Sequence, residues 1–176
     1  MVSYTYELKI PHERIAVLIG TDGKVKKELE DLTKTSIRID SSEGDIFVSG
    51  ADPIGLYNAR EIIQAVGRGF NPDLAKLLLK PDYSFEVLDL ADYCKTKNDM
   101  VRLKGRVIGF DGKSRRLIEF LTDVNISVYG KTIGIIGEVA KVILARRAVD
   151  ALLRGSTHSK VYHWLEAQRR DLKSAL

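Results

Sequence analysis

LIGTDGKVKKELEDLTKTSIRI at Leu18–Ile39 returns as VIGFDGKSRRLIEFLTDVNISV at Val107–Val128, 89 residues further along the chain. Each copy sets two glycines three apart, Gly20 and Gly23 or Gly109 and Gly112, between an apolar run and a basic turn. The likeness runs past the loop: Leu29 matches Ile118, Leu32 matches Leu121, Thr33 matches Thr122, Ile37 matches Ile126 and Ile39 matches Val128. A lone Gly-x-x-Gly marks many plain turns. Two copies in one context indicate a duplicated module whose backbone comes close to something anionic.

Reading outward from the first loop, Val2–Ile10 alternates polar and apolar residues, as a half-buried strand does. Pro11 suits the first turn of a short helix through Leu18. Val25, Leu29 and Leu32 form the apolar stripe of a second helix. Ser36–Asp40 and Asp45–Ser49 read as strands around a turn at Ser41–Gly44. Pro53 opens a third helix that ends near Gly67–Gly69. The second copy repeats the order: a strand at Ser84–Leu90, a helix near Asp99–Val107, a helix lined by Leu117, Ile118, Leu121 and Val124, strands at Asn125–Tyr129 and Thr132–Ile136, and a helix at Glu138–Arg154. Two pieces fall outside the duplication. Pro72–Lys80 is expected to be a linking helix, and Thr157–Leu176 a basic helix docking through Val161, Leu165 and Leu172.

A glycine loop placed just before a helix aims backbone N–H groups outward, and the helix dipole adds partial positive charge. The next turn is basic in both copies, with Lys24, Lys26 and Lys27 matched by Lys113, Arg115 and Arg116. Together these features describe a clamp for a phosphate backbone. The residues between the glycines are Thr21 and Asp22, then Phe110 and Asp111. Asp22 and Asp111 are expected to cap the following helix with their oxygens turned inward. Phe110 is a candidate for stacking on a base.

This arrangement resembles the type I KH fold, a module that binds RNA or single-stranded DNA. The resemblance implies an α+β protein of two tandem KH domains, each β-α-α-β-β-α with a three-stranded sheet packed on helices, plus a C-terminal helix. The expected divisions are residues 1–70, a link at 71–82, 83–155 and 156–176. The loop would clamp about four nucleotides of backbone, with bases in an apolar groove beside the second helix and the adjacent strand. The expected RNA-binding residues are Gly20, Thr21, Asp22, Gly23, Lys24 and Lys27 in the first copy. In the second they are Arg106, Ile108, Gly109, Phe110, Asp111, Gly112, Lys113, Arg115 and Arg116. Further groove candidates are Ile19, Val25, Ile37 and Ile39, and Ile126 and Val128.

FEVLDLADY (Phe85–Tyr93), RLKGRVIGFDGKSRR (Arg102–Arg116) and SVYGKTIGIIG (Ser127–Gly137) narrow the resemblance to archaeal KH proteins related to the eukaryotic partner-of-Nob pre-ribosomal factor. That likeness implies binding to the 3′ end of small-subunit ribosomal RNA during ribosome biogenesis. It also implies links to the alpha subunit of translation initiation factor two and to a processing endonuclease. The rival reading is a protein adaptor built on the KH scaffold, or a general KH protein of RNA decay or translation.

Charge divides the two copies. Residues 1–90 hold 11 Lys and Arg against 15 Asp and Glu, and residues 91–176 hold 17 against 9, so net charges of −4 and +8 lie within the total of +4. The second copy is therefore expected to carry most of the RNA affinity, while Asp22, Glu28, Glu30 and Asp31 crowd the first loop. Other chemistries lack their motifs. Gly112-Lys113-Ser114 fails as a P-loop because position 107 is Val. His12, His158 and His163 have no metal-ligand spacing, and Cys94 has no visible base partner. No catalysis, metal or cofactor is expected. Apolar runs such as Leu77–Leu79 are far too short to cross a bilayer, Met1 opens no secretory pattern, and a single cysteine fits the cytoplasm.

Overall fold

The computed structural model describes residues 3–174; the expectations for Val2 and for the last two residues of the C-terminal helix lie outside them. The chain divides into two compact units between Pro81 and Asp82.

In the first unit, β1 (Tyr4–Lys9), β2 (Ser36–Asp40) and β3 (Asp45–Gly50) form an antiparallel sheet in the order β1-β3-β2. Register is set by burial. Ile46 and Val48 of β3 lie fully buried and oppose Leu8 and Tyr6 of β1, and Ile39 and Ile37 of β2. A one-residue slip would turn both core residues to the other face. α1 (His12–Ile19), α2 (Lys24–Thr33) and α3 (Pro53–Gly67) bury Leu18, Leu29, Leu56, Ile62, Ile63 and Val66. Asp52 starts α3 by accepting from Ile54 N–H and Gly55 N–H, with Pro53 preset for the first turn.

The proposed linking helix is two short turns, α4 (Pro72–Ala75) and a 3₁₀ turn at Lys76–Leu79. They bury Ala75 and Leu78, and Lys76 pairs with Glu28 of α2 at 2.8 Å. This segment therefore packs within the first unit.

The second unit repeats the plan with β4 (Tyr83–Asp89), α5 (Lys97–Ile108), α6 (Lys113–Thr122), β5 (Asn125–Tyr129), β6 (Thr132–Glu138) and α7 (Val139–Leu153), in sheet order β4-β6-β5. α5 begins two residues before the sequence expectation because Thr96 caps it, accepting from Asp99 N–H and donating to Asp99 Oδ2. α8 (His158–Ser174) packs along α6 and α7 and adds Val161 and Leu165 to the core.

Two members of the expected stripes face out. Leu32 is 50% exposed, because α2 centres its buried face on Leu29 and Thr33, and Leu32 lies about 60° round the helix from Leu29. Leu172 is 47% exposed beyond the end of the buried pair Val161 and Leu165.

Candidate nucleic-acid interface

The two glycine loops are geometric copies. Gly20 has φ 73° and ψ 177°, and Gly109 has φ 72° and ψ 176°, a region essentially closed to residues with a Cβ. Each also sits against the following helix. A Cβ on Gly20 would lie 2.4 Å from Val25 Cγ2, and one on Gly109 would lie 2.6 Å from Ser114 Cβ and 2.7 Å from its backbone N. The second glycines differ in kind. Gly23 and Gly112 are left-handed (φ 72° and 74°), and an added Cβ there would meet nothing or only the far end of Arg116. The first glycine of each loop therefore shapes it, and the second only turns it.

Asp22 and Asp111 do not cap α2 and α6. No side-chain hydrogen bond caps either helix, and both carboxylates are exposed. The two residues have φ of 54° and 49°, the left-handed conformation that aspartate tolerates better than most side chains. Backbone conformation, rather than capping, accounts for this residue type.

The loop's N–H groups are also fewer than the sequence suggests. Gly20 donates to Ala16, Gly23 to Gly20 and Lys24 to Thr21, while Gly109 donates to Gly105, Gly112 to Gly109 and Lys113 to Phe110. The loop N–H groups outside these internal bonds are those of Thr21 and Asp22, and of Phe110 and Asp111.

The basic residues divide by task. Lys24, Lys27 and Lys113 are exposed on the first turns of α2 and α6. Arg116 Nη2 donates back to Asp111 O at 2.6 Å, bracing the second loop. Arg115 Nη1 donates to Ile126 O at 3.2 Å. Arg106 turns to the end of α7, donating from Nε to Leu152 O at 3.0 Å and from Nη2 to Ser156 O. Leu152 O also accepts from Gly155 N–H at 3.1 Å, and Ser156 lies in the connection between α7 and α8, so Arg106 ties α5 to that connection rather than reaching past the loop. Arg14 does the same for α3, donating to Val66 O and Phe70 O at 2.8 Å. Two of the acids near the first loop are occupied as well, Glu28 with Lys76 and Glu30 with Lys26.

Between α2 and β2, Ile19, Val25 and Ile39 are half-buried, whereas Ile37 belongs to the core. In the second unit Ile108 and Val128 are half-buried and Ile126 is core. Phe110 is 86% exposed at the loop tip. Behind it a cavity of about 330 Å³ is lined by Phe110, Lys113, Ser114, Leu117, His158 and Tyr162. His158 is fixed there by donating from Nε2 to Arg106 O at 2.7 Å. The sequence did not place His158 and Tyr162 beside the loop, because that contact depends on how α8 packs. Among the described residues no three His, Cys, Asp or Glu side chains gather as a metal site, and no helix is long and apolar enough to cross a membrane.

Residues 84–170 match the model for the second KH domain of PNO1, a eukaryotic type KH-domain (KH-domain type I), and residues 5–65 match the general KH domain model. The KH domain-containing protein MJ0443 of Methanocaldococcus jannaschii is 47% identical over 172 residues, covering 96% of this chain and 75% of that protein. The pre-rRNA-processing protein PNO1 of Candida glabrata is 29% identical over 176 residues, covering 95% of this chain and 67% of that protein. A chain in the crystal structure of the a/eIF2alpha-aDim2p-rRNA complex from Pyrococcus horikoshii OT3 superimposes with a TM-score of 0.90 at 40% identity, with 96% of each chain covered.

Proposed function

The chain belongs to the KH-domain family that includes archaeal Dim2p and eukaryotic PNO1, and on that premise we propose that it binds single-stranded RNA. The target is the 3′ region of small-subunit rRNA during ribosome maturation, held chiefly by the second unit. The observation that carries this reading is the loop at Gly109–Lys113. An exposed phenyl, an exposed lysine, two available N–H groups and the N-terminus of a ten-residue helix converge there, inside the segment that matches the PNO1-type domain. Phosphate contacts supply affinity, and the exposed ring supplies stacking that any base can accept. The protein acts by binding rather than catalysis, in the cytoplasm.

Fluorescence titration with an oligonucleotide of the rRNA 3′ end tests this. Aspartate at Gly109 would break the loop itself, so changes at the exposed positions are cleaner. Phe110→Asp with Lys113→Glu is expected to weaken binding by about tenfold or more, the value of one stacked base and one phosphate contact. Thr21→Asp with Lys24→Glu is expected to cost less than about threefold. The opposite order would sink the assignment of RNA to the second unit. Affinity should also fall by about 0.7 log units per phosphate contact for each decade of salt.

A second reading is compatible with the first. The similar aDim2p chain was crystallised with both a/eIF2alpha and rRNA. The present chain would likewise bridge RNA to the alpha subunit of initiation factor two, and to a processing endonuclease. Its acidic first half suits a protein contact better than a nucleic-acid one. Titration with the alpha subunit alone decides this: binding that survives Phe110→Asp with Lys113→Glu supports the bridge, and no binding without RNA removes it.

A further inference from the structure

β2 and β5 are edge strands, with one side paired to β3 or β6 and the other turned toward the helix after the loop. Edge strands present N–H and C=O groups that no ladder satisfies. In both units a glutamate takes one of them. Glu30 Oε1 accepts from Ile37 N–H at 2.7 Å, and Glu119 Oε1 accepts from Ile126 N–H at 2.7 Å. The second unit adds a further bond, from Arg115 Nη1 to Ile126 O at 3.2 Å, with Arg115 3.9 Å from Glu119. Lys26, which stands where Arg115 stands in the repeat, reaches Glu30 at 3.2 Å instead. Both outward groups of Ile126 are thus engaged before any ligand arrives.

The N–H and C=O of one edge residue form a donor–acceptor pair suited to a base. With that pair covered, a base that reaches β5 at Ile126 meets side chains rather than backbone. We propose that Glu119, oriented by Ile126 N–H and flanked by Arg115, selects the base at this step of the second groove, favouring one with an exocyclic amino group over uracil. This rests on the RNA-binding reading above.

The chemistry follows from the two groups. Glu119 Oε2 can only accept, and the amino groups of adenine, cytosine and guanine donate. Uracil has no exocyclic donor, and its one edge donor, the ring N3–H, lies between two carbonyl oxygens that a carboxylate repels. Arg115 has five N–H donors, so those beyond the Ile126 bond can meet a ring acceptor beside the amino group. The Glu119 and Arg115 side chains are 23% and 36% exposed, which leaves them open to a base.

The test equilibrates the 176-residue chain with a single-stranded RNA pool randomised at successive positions, and sequences the retained fraction. Glu119→Gln keeps an oxygen for Ile126 N–H and replaces the second acceptor with a donor, so the tie between α6 and β5 survives. The parent protein should disfavour uracil at one position by about tenfold, the scale of one good side-chain–base contact. Glu119→Gln should reduce that to less than about threefold, and Glu30→Gln should leave it unchanged. Arg115→Lys, with Glu119 intact, should weaken binding but keep the amino preference. Unchanged preferences in Glu119→Gln, or equal relaxation by Glu30→Gln, would overturn the assignment. Failure of the parent protein to retain any RNA would instead overturn the RNA-binding reading itself.

Discussion

The two units match closely in backbone and differ in what covers them. Gly20 and Gly109, Asp22 and Asp111, and Lys34 and Asp123 occupy equivalent turns with φ values within a few degrees. On the outer side of the loop helix the copies part. In the second unit α8 lies along α6, Leu121 is half-buried against it, and His158 and Tyr162 reach the loop. In the first unit the matching Leu32 is half exposed. A duplicated fold therefore presents two different surfaces around one shared loop. The difference comes from an added helix rather than from the repeat.

The largest expected effect tests that added helix. Leu165 is 1% exposed in the second core, so Leu165→Ala should cost about 2–4 kcal/mol by lost burial and the cavity left behind. Leu32→Ala should cost less than about 0.5 kcal/mol, as exposed substitutions do. Chemical denaturation measures both; equal losses would erase the contrast between the units.

Next comes the contrast inside each loop. Gly109→Ala must carry a Cβ into Ser114 at a φ/ψ reserved for glycine, and should destabilise the protein by about 2–3 kcal/mol. Gly112→Ala meets only the strain of a left-handed alanine, about 1 kcal/mol. Gly20→Ala and Gly23→Ala should repeat the pattern in the first unit. Similar melting temperatures for Gly109→Ala and Gly112→Ala would contradict the geometry.

The smallest effect concerns a network of the second unit. Tyr93 donates to Asp150 at 2.6 Å, and Arg154 Nε lies 3.0 Å from the same carboxylate. Burial, then the bond to Asp150, pushes the Tyr93 hydroxyl up to about 12. Folded Tyr93 thus keeps its proton to higher pH than the unfolded chain, whose value is near 10. Its stabilisation is complete below pH 10 and is lost as pH rises toward 12. Tyr93→Phe should cost about 1 kcal/mol at neutral pH and flatten the fall in stability above pH 10. An unchanged alkaline profile would remove Tyr93 from that role.

Much of the fold was legible because periodicity and punctuation are local. The spacing of Val25 and Leu29, the prolines at 53 and 72 and the glycine pairs gave the element order, and the 89-residue offset gave the duplication. The loop positions were legible for the same reason. The partners of polar side chains were not. Asp22 and Asp111 looked like caps because capping is the commonest local use of aspartate ahead of a helix, yet their backbone sits at positive φ. Glu30 read only as one of the acids crowding the first loop, and Glu119 stood out in no pattern. Their equivalence at the repeat offset was the available signal that both hold the neighbouring edge strand.

The sequence by itself determined two KH modules, two loops able to approach an anion, and a charge balance that favours the second, because those features follow from residue type and spacing along the chain. Only the tertiary structure decided that Arg106 caps α7, that α8 brings His158 and Tyr162 to one loop alone, and that Glu119 with Arg115 covers both outward groups of Ile126. Such contacts join residues 7 to 50 positions apart. Their formation depends on packing directions and side-chain reach that no local pattern encodes.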